Sequence, residues 1–124
     1  MGISAVPITI YGIKNCDTMK KARAWLDKRG VAYAFHDYKT AGIERERLEQ
    51  WEKKVGWETL LNRAGTTFRK LPDKDKNDLN AKKALALMLA QPSMIKRPVL
   101  DLGGGQLLVG FEPEVYSKGV AARV

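Results

Sequence analysis

This 124-residue chain has a single cysteine and a single histidine. One cysteine excludes an internal disulfide and a multi-cysteine zinc site. Long apolar runs are missing too: none approaches the ~20 residues a membrane helix needs, so no membrane partner is expected. Residues 1–6 lack the charged front and long apolar centre of a signal peptide, which makes the cytoplasm the expected location. Acidic residues are in the minority, 14 against 22 Lys and Arg, for a formal net charge of +8. Yet there is no block of like charge, because bases alternate with acids in Glu44-Arg45-Glu46-Arg47 and Asp73-Lys74-Asp75-Lys76. A nucleic-acid track is therefore not expected, and a small anion, an acidic protein surface or plain solvation fits the charge better. The run from Asp73 to Asn77 begins like a calcium loop. Asp78 stands where the turn glycine belongs, however, and Ala84 where the closing glutamate belongs, so no metal is expected.

What remains is ordinary globular material, 44% hydrophobic and 29% charged, without repeats or low-complexity tracts. Its length suits one domain with a modest core. The chain is organised around residues 8–22. Residues 8–11 (Ile-Thr-Ile-Tyr) form a β-branched and aromatic run that predicts a buried strand, and Gly12 breaks the pattern. Asn15, Asp17 or Thr18 is then expected to cap a helix. Between strand and helix stands Cys16. A thiol there faces unpaired N–H groups and the positive end of the helix dipole, with Lys14, Lys20 and Lys21 nearby. Such surroundings lower a cysteine pKa from about 8.5 to roughly 3.5–7.5 and make a nucleophile at neutral pH.

The spacing of Met19, Ala22, Trp25 and Leu26 predicts a helix over 18–29, stopped by Gly30. Residues 31–38 alternate large and small side chains and read as a second strand, parallel to the first across the helical crossover. His36 lies on it and is read as a packed or surface residue. A helix is expected over 44–55, with Leu48 and Trp51 facing a core, then a short helical stretch over 57–61. Residues 64–76 read as a loop. Ala81, Ala84, Leu85, Met88 and Leu89 mark a helix over 79–91, ended by Pro92. Residues 99–102 and 106–109 form a hairpin around Gly103-Gly104-Gly105, and a last helix spans 114–120. The triple glycine joins two strands and opens no helix, so it is a poor phosphate cradle. The expected class is α/β. Two parallel strands followed by an antiparallel hairpin is the order of the thioredoxin fold, whose redox site lies at the first strand-to-helix junction.

The stretch Tyr11-Gly12-Ile13-Lys14-Asn15-Cys16-Asp17-Thr18-Met19-Lys20-Lys21-Ala22, together with Lys96-Arg97-Pro98-Val99, resembles the arsenate reductase (ArsC) family. Leu60-Leu61-Asn62-Arg63-Ala64-Gly65-Thr66-Thr67-Phe68-Arg69-Lys70-Leu71 is similar to its YffB-like branch, which stands near the transcription regulator Spx. The resemblance implies a thioredoxin-like fold with a mixed four-stranded sheet, built from about 6–40 and 93–124, with a helical insertion at about 41–92. It places the nucleophile at Cys16, a thiolate-stabilising and anion-binding arginine at Arg97, and a cis proline beside the cysteine at Pro98. Thr18 would donate its hydroxyl near the sulfur, and Lys14 would add charge. Arsenate-reducing members carry further arginines where this chain has Asn62 (beside Arg63) and Gly110. Spx-like regulators carry a second cysteine where this chain has Met19.

A monothiol site cannot release its own mixed disulfide, so an external thiol must complete a cycle. The expectation is a glutathione-dependent thiol/disulfide oxidoreductase that is monomeric, binds no permanent cofactor and uses glutathione as co-substrate. Its other substrate would be an oxidised thiol or a small oxyanion. One alternative is an arsenate reductase that recruits Arg63 or Arg69. The other is an Spx-like redox-responsive protein that binds RNA polymerase.

Overall fold

A computed structural model describes residues 8–14, 16–103 and 105–121. It divides into two compact units, one of residues 1–37 and 97–124, the other of residues 38–96.

The first unit holds a mixed four-stranded sheet. Strand β1, Thr9–Gly12, feeds helix α1, Asp17–Lys28, which returns to β2, Ala34–Asp37. The β1 and β2 strands are parallel, with Ile10 opposite Phe35 and Tyr11 opposite His36. Strand β3, Val99–Gly103, lies antiparallel to β1, and β4, Gln106–Val109, antiparallel to β3, so the order is β2-β1-β3-β4. This is the mixed sheet the sequence implied. Gly12 does not break the first strand as expected. It is the strand's last residue.

On α1 the expected stripe of Met19, Ala22, Trp25 and Leu26 is buried. It packs with Ile10, Leu100 and Leu102, and with Tyr116 and Val120 of a final helix whose range is Pro113–Ala121. The helix stops as expected: Gly30 takes φ 68°, and the Val31 N–H reaches back to the Leu26 carbonyl at 3.0 Å. The β2 strand is shorter than the alternation promised, because Tyr38 starts a helix.

The second unit is helical. Its segments are α2, Tyr38–Ala41; α3, Arg45–Val55; α4, Trp57–Leu60; α5, Thr66–Arg69; α6, Asp73–Lys76; α7, Ala81–Ala90; and a 3-10 turn, Pro92–Met94. Residues 64–76, expected to be a loop, carry two one-turn helices, and α2 was not expected at all. Gly56, at φ 85°, ends α3 by donating its N–H to the Glu52 carbonyl at 2.8 Å. Asn80 caps α7 by accepting from the Lys83 N–H at 2.9 Å. Among the described residues, no helix is long and apolar enough to cross a membrane.

Candidate active site around Cys16

The antiparallel register sets Tyr11 opposite Val99. The end at which β1 leaves for Cys16 is therefore the end at which β3 arrives from Arg97 and Pro98. Residues distant in sequence meet there because the ladder allows no other pairing without turning apolar faces to water.

Cys16 itself is the N-cap of α1. Its backbone is extended (φ −126°, ψ 129°), and its carbonyl accepts the Lys20 N–H at 2.9 Å. The sequence reading gave that position to Asn15, Asp17 or Thr18. Asn15 lies outside the described residues, while Asp17 and Thr18 are already in the first turn. A thiol at the cap takes the place usually held by an oxygen that accepts from the second and third helical N–H groups. The side chain completes no cap bond of ordinary geometry, yet the sulfur feels those groups. Partial burial pushes the thiol up and is the largest single influence. Against it act, in falling order, the Met19 N–H, a hydrogen bond from the Arg97 side chain, the Thr18 N–H and the Arg97 charge. Together they hold Cys16 below the ordinary cysteine value.

Arg97 is half-buried, and the following Pro98 is buried, with a cis peptide bond between them. The Pro98 carbonyl accepts the Gly110 N–H at 2.8 Å. Thr18 acts on the sulfur through its backbone N–H, not through the hydroxyl named from the sequence. Lys14 is exposed in the loop before Cys16. Arg63 belongs to the helical unit, exposed, with its guanidinium 5.8 Å from the centre of the Trp57 ring. The neighbouring Asn62 donates its N–H to the Met94 carbonyl at 2.7 Å. Arg69 is exposed, and its carbonyl accepts from Lys76 Nζ at 2.7 Å. The His36 ring tilts at 48° against Tyr11, 5.1 Å between centres.

The sequence reading missed the Met19 N–H, the strongest of the groups that favour the charged sulfur. Had Cys16 been assigned as the cap, counting three residues on would have found it. The described residues contain no group of three or more His, Cys, Asp or Glu that could hold a metal. The site can therefore present a stabilised thiolate with an arginine beside it.

The ArsC family model matches residues 11–118. Among solved structures, the YffB protein is 63% identical, with a TM-score of 0.87 over 90% of this chain and 97% of its own. An arsenate reductase (ArsC) related protein from Brucella melitensis is 57% identical, with a TM-score of 0.75 over 94% and 97%. An uncharacterized protein of Haemophilus influenzae is 41% identical over 92% of this chain and 99% of its own. The global transcriptional regulator Spx of Streptococcus agalactiae is 29% identical over 86% of this chain and 78% of its own.

Proposed function

This chain belongs to the ArsC family, and on that premise we propose that it is a cytoplasmic, glutathione-dependent monothiol oxidoreductase with Cys16 as nucleophile. The observation that supports this reading is the convergence of the Met19 N–H, the Thr18 N–H and the Arg97 side chain on one thiol.

In the first step the Cys16 thiolate attacks the protein- or metabolite-side mixed disulfide of glutathione at its glutathione sulfur. The S–S bond breaks, the substrate sulfur leaves as a thiolate and takes a proton from water, and Cys16 carries glutathione. The chain has no second cysteine, so nothing internal can displace it. A second glutathione, as thiolate, then attacks the same sulfur, frees the Cys16 thiolate and departs as glutathione disulfide. The net change is one mixed disulfide and one glutathione converted to one thiol and one glutathione disulfide. Arg97 serves twice in this scheme, holding the sulfur charged and offering a guanidinium to a glutathione carboxylate. Thr18 contributes its N–H, Pro98 sets the edge of the site, and Lys14 adds long-range attraction for an anion. Arg63 has no role in this scheme.

Glutathione suits the site better than arsenate. The resemblance to arsenate-reducing members implies arginines where this chain has Asn62 and Gly110. A hydrogen bond to a charged group is worth about 1.5–3 kcal/mol, so two missing donors cost a few powers of ten in oxyanion affinity.

The test is intact mass after exposure to glutathione disulfide, combined with the pH profile of Cys16 alkylation. One glutathione per chain and a reactivity midpoint below the ~8.5 of a free cysteine are expected. Arg97→Ala should raise that midpoint and cut glutathionylation about tenfold or more, since one charge serves both purposes. Arsenate-dependent turnover that vanishes in Arg63→Ala would replace this reading with an arsenate reductase. No glutathione turnover, together with capture of RNA polymerase, would replace it with a binding protein of the Spx kind.

A further inference from the structure

Gly12, the last residue of β1, and Met19, in the first turn of α1, meet directly. A Cβ placed on Gly12 would overlap the Met19 Sδ and lie 2.7 Å from its Cε and 3.1 Å from its Cγ. Gly12 is not among the glycines with positive φ, so its backbone would accept any residue; what it supplies is space. Met19 is fully buried, in the cluster formed with Ile10, Ala22, Trp25, Leu26 and Leu100, against which Cys16 also packs. A methionine tail usually swings aside, but one enclosed on all sides can move only by displacing its neighbours or its own helical turn.

We propose that Gly12 and Met19 are positioning residues for Cys16: the bare backbone at the end of β1 admits the Met19 side chain, and that contact holds the first turn of α1 with the Met19 N–H directed at the sulfur. Met19 thus works at both ends, its side chain anchored in the core and its N–H on the thiolate. The proposal rests on Cys16 as the reactive thiol. It goes beyond that reading by assigning the site's geometry to a strand glycine and a core methionine that carry no chemistry of their own.

The alternative is plain core packing, in which changes at either residue alter stability and leave the sulfur alone. The experiment is the pH profile of iodoacetamide alkylation, which reports Cys16 alone because the chain has no other cysteine. It is run on the full chain and on Gly12→Ala, Met19→Ala, the double variant and Met19→Leu, with thermal unfolding alongside. Each alanine variant should move the midpoint upward and slow alkylation roughly three- to tenfold at a pH below the wild-type midpoint. In the double variant the methyl added at position 12 enters the space the methionine left, so its upward shift should be smaller than the sum of the single shifts. Met19→Leu keeps the volume and should keep the midpoint.

Unchanged midpoints in both single variants would overturn the proposal, even with lowered melting temperatures. So would additive shifts in the double variant, or a Met19→Leu midpoint as high as that of Met19→Ala. If Gly12→Ala does not fold, the Met19→Ala and Met19→Leu pair decides. Should wild-type protein take no glutathione while these midpoints still shift, the functional reading falls and the positioning stands; the reverse pattern sinks only the positioning.

Discussion

The sheet-bearing unit and the helical unit satisfy their backbones in different ways. In the first, neighbouring strands exchange hydrogen bonds along three ladders, and the apolar cluster on α1 and the sheet does the rest. In the second, short helices leave many end groups unpaired, and contacts distant in sequence take them up. The Leu60 carbonyl accepts from the Lys96 N–H at 2.7 Å, the Met94 carbonyl from the Asn62 N–H at 2.7 Å, and the Ile95 carbonyl from the Tyr38 hydroxyl at 2.9 Å. Lysine ammonium groups close two more, Lys76 on Arg69 and Lys83 on Asn77. Regular elements satisfy themselves, whereas one-turn helices depend on particular partners. The Cys16 thiol sits where the first regime has a loose end, at the N–H groups that open α1.

Leu100→Ala should break the comparison most sharply on the sheet side. Leu100 is fully buried on β3 opposite Ile10, and its truncation should cost about 2–5 kcal/mol in urea unfolding. A loss under about 1 kcal/mol, well short of that range, would mean that the cluster is not what holds the sheet.

On the helical side, Tyr38→Phe keeps the ring and removes the donor to the Ile95 carbonyl. With that carbonyl left buried and short of a partner, about 1–3 kcal/mol should be lost in the same measurement. No loss at all would show that the distant polar contacts of this unit are incidental.

The smallest effect concerns pH. The folded chain holds the Cys16 thiol below its ordinary value, so the unfolded chain binds the proton more tightly. Stability should therefore rise with pH between the lowered folded value and the ~8.5 of an unfolded cysteine. The contribution is complete above that window and lost as pH falls through the folded value. Unfolding free energies of wild type and Cys16→Ala across about pH 5–9 check the sign. Their difference should grow toward alkaline pH, and a difference that shrinks would mean the thiolate is not favoured in the fold.

Local patterns were enough to read much of this molecule. The apolar stripe of α1, the Leu48 and Trp51 face of α3, the hairpin and the strand-to-helix junction at Cys16 all follow from periodicity and turn chemistry within a few residues. Three further features depended on neighbours remote in the chain. Helices α2, α5 and α6 are each one turn long, too short to show a period, and such turns are unstable without tertiary contacts. The partnership of Arg97 with Cys16 came from family resemblance, because two residues so far apart share no local signal; the β1–β3 register is what brings them together. Gly12 and the Met19 N–H were legible only in three dimensions. A glycine that is there for space looks, in sequence, like any glycine there for a turn. Which N–H faces the sulfur depends on where α1 begins, and the cap stands at Cys16, not at the oxygen-bearing residues beside it that local preference favours.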